Sequence, residues 1–191
     1  MLDRLRGRLE GYLASAGRAF AAVMASPTGW TAVGLALSAA SGLAFSGPRF
    51  GGQLAGGVLI LAAGWFDVVD GSVARATGRA SKRGAFLDST LDRVAEVAIF
   101  AGVLAGGLAP PLLVLAALSL SLLVSYTRAK GDALGVTLSG VGIGERSERL
   151  LVMAIAAILG YAFWGVALVA VIAGYTFLER AWRAAGELGQ G

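Results

Sequence analysis

Six apolar stretches, each close to the length of a membrane-crossing helix, constrain the fold of this chain more than any other feature. They are Gly29–Ser46, Gln53–Asp67, Val94–Leu108, Pro111–Tyr126, Leu150–Trp164 and Gly165–Leu178. A helix needs about 20 residues to cross the hydrocarbon core, so several of these helices must continue into polar flanks, as the third does from Gly84. The sequence therefore predicts an all-α integral membrane protein with six transmembrane helices.

The composition supports lipid as the solvent of this chain. Hydrophobic residues are 57% of the chain and charged residues only 15%, whereas a soluble domain carries about 25% charged residues. A soluble enzyme and a disordered tail are therefore excluded, and the absence of cysteine excludes a disulfide scaffold. Histidine is also absent, so any chemistry must come from carboxylate, Lys, Arg, Ser, Thr or Tyr side chains.

The N-terminal segment, residues 1–26, has a different pattern from the spans. Leucines alternate with arginines at helical spacing, in the set Leu2, Leu5, Leu9, Leu13, Arg4, Arg6, Arg8 and Arg18. A signal peptide has one short apolar core instead. The pattern predicts an amphipathic juxtamembrane helix on the membrane surface. The alternative is a frayed terminus. Residues 27–191 are expected to form a six-helix domain.

The basic residues predict the orientation of the chain. All but Arg49 of the 16 Lys and Arg residues fall in the N-terminal segment, at the start of the third span, in the loops that follow the second and fourth spans, or in the C-terminal part. Six spans place those regions on one side, and positive charge favours the cytoplasm. We expect a multi-pass cell-membrane protein with cytoplasmic termini. Because the charges are sorted by side and not clustered with aromatic residues, we expect no nucleic-acid partner.

Four aspartates lie where the second span ends and the third begins. Asp67 and Asp70 are three residues apart, and Asp88 and Asp92 are four apart, so each pair shares one face of its helix. Both pairs lie at the cytoplasmic ends of neighbouring helices and can meet. A charge at the centre of a membrane helix costs roughly 2.5–3.5 kcal/mol on insertion scales, and somewhat less near the edge, so four carboxylates there require compensation.

Two divalent cations would supply that compensation. Oxygen ligands without histidine or cysteine favour hard cations such as Mg²⁺ or Mn²⁺, and two metals held by carboxylates recur in displacement at phosphorus. The alternatives are an ion pair of Asp67 or Asp70 with Arg75 or Arg93, and a cation-coupled transporter. A transporter usually has inverted repeats and sites near mid-membrane, and we find no internal repeat.

The spacing of these residues resembles the motif of the CDP-alcohol phosphotransferases. The eight fixed positions, spread over 26 residues, are Asp67, Asp70, Gly71, Ala74, Arg75, Gly84, Asp88 and Asp92. The resemblance implies transfer of a phosphatidyl-type (or archaetidyl) group from a CDP-linked lipid to an alcohol, with release of CMP. It also implies six membrane helices preceded by an amphipathic helix, so it covers nearly the whole chain.

The resemblance implies roles for individual residues. Asp67, Asp70, Asp88 and Asp92 would bind two ions, Mg²⁺ or Mn²⁺, and Asp92 would also be the general base. The CDP-lipid would be bound by Thr31, Asp67, Gly71, Ala74, Arg75 and Gly84. Thr28 stands where the family has asparagine, so the resemblance gives it no role.

A second resemblance concerns the alcohol. Residues 125–132 and 144–150 resemble the subgroup that accepts inositol 1-phosphate, the phosphatidylinositol phosphate and archaetidylinositol phosphate synthases. The acceptor phosphate would be bound by Arg128, Arg146, Arg149 and Arg180, whose charge suits a doubly charged group. The alternatives are arginines that only follow the positive-inside rule, and glycerol 3-phosphate as the acceptor. The resemblance also implies a homodimer.

Overall fold

The structure is a computed structural model that describes residues 18–24, 26–47 and 49–189. In these residues the chain is all-α, with no strand. Six helices follow one another: α1 (Pro27–Phe45), α2 (Arg49–Ala76), α3 (Lys82–Ala105), α4 (Pro111–Ala133), α5 (Arg146–Ile158) and α6 (Ala162–Leu188). The predicted all-α class is therefore confirmed. Residues 18–23 are also helical, whereas residues 1–17 of the predicted amphipathic helix lie outside the described residues.

Four of these helices are long and apolar enough to cross a membrane: α1, α2 from Phe50 onward, α4 and α6. α3 has 24 residues but carries charges along its first half. α5 has only 13 residues, about 20 Å at 1.5 Å per residue, which is shorter than a hydrocarbon core of about 30 Å. The membrane character is therefore supported, and the count of six spans stays a prediction.

The boundary between the last two predicted spans differs from the structure. Hydropathy places it between Trp164 and Gly165, but α5 ends at Ile158 and α6 already begins at Ala162. Gly160 has φ +81° and closes the helix, with the Tyr161 amide donating to the Ala156 carbonyl at 2.7 Å. This is a glycine-dependent helix end, which a hydropathy average does not detect because the apolar residues continue through it.

The helices that carry the site begin with local signals in the sequence. Pro27 starts α1, and the Ser26 hydroxyl accepts from the Gly29 amide at 3.3 Å. The Ser81 hydroxyl likewise accepts from the Gly84 amide at 3.1 Å at the start of α3. Such caps satisfy amides that have no partner within the helix. They fix the starts of α1 and α3, the helices that carry Thr31 and Asp88.

The helices form two groups, α1 to α3 and α4 to α6, which contact each other most extensively between α2 and α5 and to a smaller extent between α3 and α4. α1 packs against α2 and α3, α2 packs against α5, and α6 packs against α4 and α5. Glycines allow α1 to lie directly on α3, because a Cβ atom on Gly102 would overlap the backbone of Gly42, and one on Gly106 would overlap the carbonyl of Phe45. Small residues at helix contacts are typical of membrane proteins, where apolar burial provides little drive for helices to associate.

We expect Gly102→Ala to destabilise the protein by about 1–3 kcal/mol, because the added methyl group forces α1 and α3 apart. The measurement is thermal and denaturant unfolding of the purified protein in detergent. Gly64→Ala is the matched control, because nothing lies within 4 Å of a Cβ atom at that position. Equal stability of the two variants would contradict the close contact of α1 with α3.

Candidate active site

Three of the four motif aspartates come together between α2 and α3. One carboxylate oxygen from each of Asp67, Asp70 and Asp88 lies within 4.8 Å of the others. Asp67 and Asp70 face this point because they are one turn apart on α2, and Asp88 reaches it from the first turns of α3. Asp70 is buried, and the other two are partly exposed. The predicted meeting of the two helix ends is therefore present in the structure.

Asp70 is held in place by a residue of α1. The Thr31 hydroxyl donates to Asp70 Oδ2 at 2.7 Å, across 39 positions of sequence. Thr31 lies in the first turns of α1, so this hydrogen bond depends on the packing of α1 against α2. The sequence predicts that Thr31 contacts the nucleotide, and the structure adds a direct contact with a motif carboxylate.

Asp92, the predicted general base, lies beside the cluster and contacts two arginines. Arg146 Nη1 is 2.8 Å from Asp92 Oδ1 and 3.2 Å from Asp67 Oδ1, and Arg93 Nη2 is 3.4 Å from Asp92 Oδ2. Arg146 therefore joins α5 to both motif helices. The sequence predicts that Arg146 contacts the acceptor phosphate. The structure places its guanidinium against the carboxylates of Asp67 and Asp92.

The cluster fits a divalent cation. Asp88 Oδ1 is buried and has no hydrogen-bond partner within the described residues, although a carboxylate oxygen of this kind requires a donor or a cation. Three converging carboxylates without nitrogen or sulfur ligands match the preference of Mg²⁺ and Mn²⁺ for oxygen. Asp67, Asp70 and Asp88 could therefore hold a divalent metal, and the participation of Asp92 stays a prediction.

A groove of about 580 Å³ lies on one side of the cluster. It contains five of the six residues predicted to bind the CDP-lipid, namely Thr31, Gly71, Ala74, Arg75 and Gly84, together with Asp70 and Asp88. The sixth, Asp67, does not line this groove but lines a second cavity, which is described below. Sequence reasoning missed Arg79 and Arg83, which also line this groove; their only sequence signal was a cluster of basic residues after the second span.

A second cavity, of about 620 Å³, lies on the other side. Asp67, Asp88 and Asp92 border it together with all four arginines predicted to bind the acceptor phosphate, Arg128, Arg146, Arg149 and Arg180. Asp88 borders both cavities. Ligands in the two cavities would therefore meet at the carboxylate cluster.

The arginines of the second cavity differ in how firmly they are held. Arg128 Nη1 is 3.4 Å from Glu145 Oε1, and its side chain is 42% exposed. Arg180 is 2% exposed and donates to the carbonyls of Val141 at 2.9 Å and Val124 at 3.0 Å, while its Nη2 atom lacks a hydrogen-bond partner within the described residues. The structure thus presents one accessible and one firmly anchored guanidinium.

Two acidic residues of the second cavity region were missed as functional candidates. Glu145 contacts Arg128, as above, and Arg180 Nη2 at 3.7 Å, and Glu96 contacts Arg149 at 2.8 Å. Glu145 lies within residues 144–150, which resemble the inositol 1-phosphate subgroup, but that resemblance gives it no role. The signal that could have indicated Glu96 was its place one helical turn after Asp92.

The fold and the site together define a helical membrane protein with a carboxylate cluster between two polar cavities. Comparison with known proteins then gives the family. Residues 21–178 match the family described as CDP-alcohol phosphatidyltransferase. The archaetidylinositol phosphate synthase of Pyrococcus horikoshii is 32% identical over 191 residues, which are 100% of both chains.

Solved structures agree with this match. The crystal structure of Mycobacterium tuberculosis phosphatidylinositol phosphate synthase with CDP-DAG bound has a TM-score of 0.77 at 27% identity and covers 91% of this chain and 93% of that chain. The same enzyme in complex with manganese and citrate has a TM-score of 0.77 at 28% identity, over 90% and 88% of the two chains. The chain belongs to the CDP-alcohol phosphatidyltransferase family. It is an enzyme of that class, so the transporter alternative is set aside.

We expect Thr31→Val to weaken Mn²⁺ binding about 10–100-fold, the usual cost of losing a hydrogen bond to a metal ligand. The measurement is a Mn²⁺ titration of the purified protein followed by electron paramagnetic resonance. Thr90→Val is the matched control, because the Thr90 hydroxyl contacts only the Phe86 carbonyl within the described residues. Unchanged Mn²⁺ affinity in Thr31→Val would show that the Thr31–Asp70 hydrogen bond is not coupled to a metal site.

Proposed function

We propose that this enzyme transfers the phosphatidyl-type or archaetidyl group of a CDP-linked lipid to inositol 1-phosphate and releases CMP in phospholipid biosynthesis. The observation that carries this proposal is the position of the carboxylate cluster between two cavities. Glycines and arginines line the first cavity, and the four predicted arginines line the second. The names of the relatives support inositol phosphate as the acceptor over glycerol 3-phosphate.

The first cavity suits the CDP group of the donor. Gly71 and Gly84 present no side chain, so a nucleotide can approach the backbone there. Arg75 lies in the same groove, and its planar guanidinium can donate two hydrogen bonds to a diphosphate. Asp67, Asp70, Asp88 and Asp92 would hold two divalent ions, which would neutralise charge on the diphosphate as CMP leaves.

The second cavity suits a phosphorylated alcohol. A phosphate bound near Arg128 and Arg180 would place the rest of the acceptor towards Asp92, which borders the same cavity. Asp92 would accept the proton of the acceptor hydroxyl. The hydroxyl oxygen would bond to the lipid-linked phosphorus, and the bond from that phosphorus to CMP would break. Arg146, 2.8 Å from Asp92, would keep the carboxylate oriented before transfer. Arg149 and Arg180 would complete the cationic wall.

The proposal includes a location for the chain in the membrane. α3 and α5 would complete six spans, and residues 1–26 would form the interfacial helix before the domain of residues 27–191. Most basic residues lie at the ends of helices that share the site, which supports a cytoplasmic active site and cytoplasmic termini. We also retain the homodimer as a prediction.

We expect the purified protein in detergent to release CMP from a CDP-lipid when inositol 1-phosphate and Mg²⁺ or Mn²⁺ are present, and to stop when the metal is chelated. Donors with diacyl and archaeal ether tails are compared in parallel. The measurement is CMP release, with inositol and glycerol 3-phosphate as alternative acceptors. Release with glycerol 3-phosphate alone would transfer the proposal to that acceptor, and absence of release with every acceptor would refute it.

We expect Asp92→Asn to lower kcat about 10²–10⁴-fold, the usual contribution of a general base, while the affinity for the CDP-lipid changes little. A base acts in the transition state, so its loss appears in kcat rather than in binding. Steady-state kinetics and CDP-lipid binding on the same preparation provide the measurement. Near-normal turnover would remove the role of base, and loss of CDP-lipid binding would make Asp92 chiefly a metal ligand.

A further inference from the structure

A buried ion pair lies one helical turn deeper in the protein than the site. Glu96 Oε1 is 2.8 Å from Arg149 Nη2, and the two side chains are 0% and 1% exposed. Arg149 also donates to the Gly144 carbonyl at 2.6 Å and lies 3.4 Å from the Ser121 carbonyl. One guanidinium therefore joins α3, α4, α5 and the segment that precedes α5.

This ion pair is in register with the contact between Arg146 and Asp92. Glu96 follows Asp92 by four residues on α3, and Arg149 follows Arg146 by three on α5, so each pair occupies one helix face. Among the helices of the described residues, α3 and α5 are not one of the closely packed pairs. The two side-chain bridges therefore add directional contacts between α3 and α5 to the buried apolar cluster that both helices share.

Folding stability alone does not explain this ion pair. Three atoms of this cluster are buried without a hydrogen-bond partner in the described part of the chain, namely Glu96 Oε2, Arg149 Nε and Ser121 Oγ. Each such atom retains its desolvation cost, and apolar residues of similar volume often replace a buried pair without loss of stability. The advantage of this pair is its fixed geometry.

That geometry reaches the acceptor side of the site. The Gly144 carbonyl precedes Glu145 directly, and Glu145 contacts Arg128 at 3.4 Å. Movement of Arg149 would therefore shift both the first turn of α5, which carries Arg146, and the segment that carries Glu145. The first cavity, proposed to bind the CDP-lipid, is bordered by α1, α2 and α3, and neither Arg149 nor Glu145 lines it.

We infer that Glu96 is a positioning residue for the acceptor: it holds Arg149 against Gly144 and thereby fixes the acceptor-side arginines relative to Asp88 and Asp92. This inference rests on the proposed function. It also makes the contribution of Arg149 to acceptor binding dependent on Glu96, a residue that lies outside the motif.

The test compares the wild type with Glu96→Gln, which keeps the shape of the side chain and removes its charge. We expect the KM for inositol 1-phosphate to rise about tenfold or more, as for other residues that orient a binding group, while the KM for the CDP-lipid stays unchanged. Glu187→Gln is the matched control, because its pair with Arg183 at 3.1 Å is exposed at the far end of α6. The control should leave both KM values unchanged.

A second variant covers the case in which Glu96→Gln does not fold. Glu96→Asp keeps the charge and shortens the side chain by one methylene group, so we expect a smaller rise that is confined to the KM for the acceptor. Folding is checked by the size-exclusion profile and by thermal unfolding in detergent, and the kinetics are measured well below the lowest Tm.

The kinetic outcomes separate the two proposals. An unchanged acceptor KM in a folded Glu96 variant overturns the positioning role, and so does an equal rise in both KM values or a loss of kcat alone, because a merely structural defect is not selective for one substrate. Absence of CMP release by the wild type refutes the proposed function itself, and the inference falls with it.

Discussion

The negative charge of four aspartates inside a helical membrane protein is the constraint on which the rest of the structure depends. Carboxylates in this setting must be compensated, because isolated charges are costly to bury. The compensation comes from several helices: Thr31 of α1 donates to Asp70, and Arg146 of α5 contacts Asp67 and Asp92. The site is therefore an assembly of four helices, α1, α2, α3 and α5, and the glycines allow α1 and α3 to lie directly against each other.

The two sides of the cluster solve different recognition problems. On the donor side, Gly71 and Gly84 offer open backbone, and Arg75, Arg79 and Arg83 are exposed, which suits a large nucleotide carried by a lipid. On the acceptor side, Arg149 and Arg180 are buried and held by carbonyls. Anchored guanidinium groups lose little freedom on binding a phosphate, so they favour a small ligand in one orientation.

The parts of this arrangement that the sequence predicts are those encoded by local spacing. The pairs Asp67–Asp70 and Asp88–Asp92 fix a helix face, and their meeting follows from neighbouring helices. The helix end at Gly160 was not predictable from hydropathy, since it depends on one left-handed residue within an apolar run. Likewise, the contact between Arg146 and Asp67 spans 79 positions, so local spacing does not predict it. The spacing of Glu96 from Asp92 places it on the motif face of α3, but its partner Arg149 lies in another helix and is not predictable from that spacing.

The reason for placing a costly ion pair beneath the site lies in the way these helices pack. Apolar contact alone gives helices in lipid little drive to associate, because lipid tails are as apolar as the helix surfaces. An ion pair with a donated carbonyl bond, such as that of Glu96 with Arg149 and Gly144, has one favoured geometry. It links α3 and α5, which are not among the closely packed helix pairs of the described residues, although their apolar side chains share one buried cluster. Reacting atoms must be held about 3–3.5 Å apart, and a misplacement of about 1 Å can slow a reaction about 10²-fold. A bridge of fixed geometry at this point therefore offsets its cost in stability.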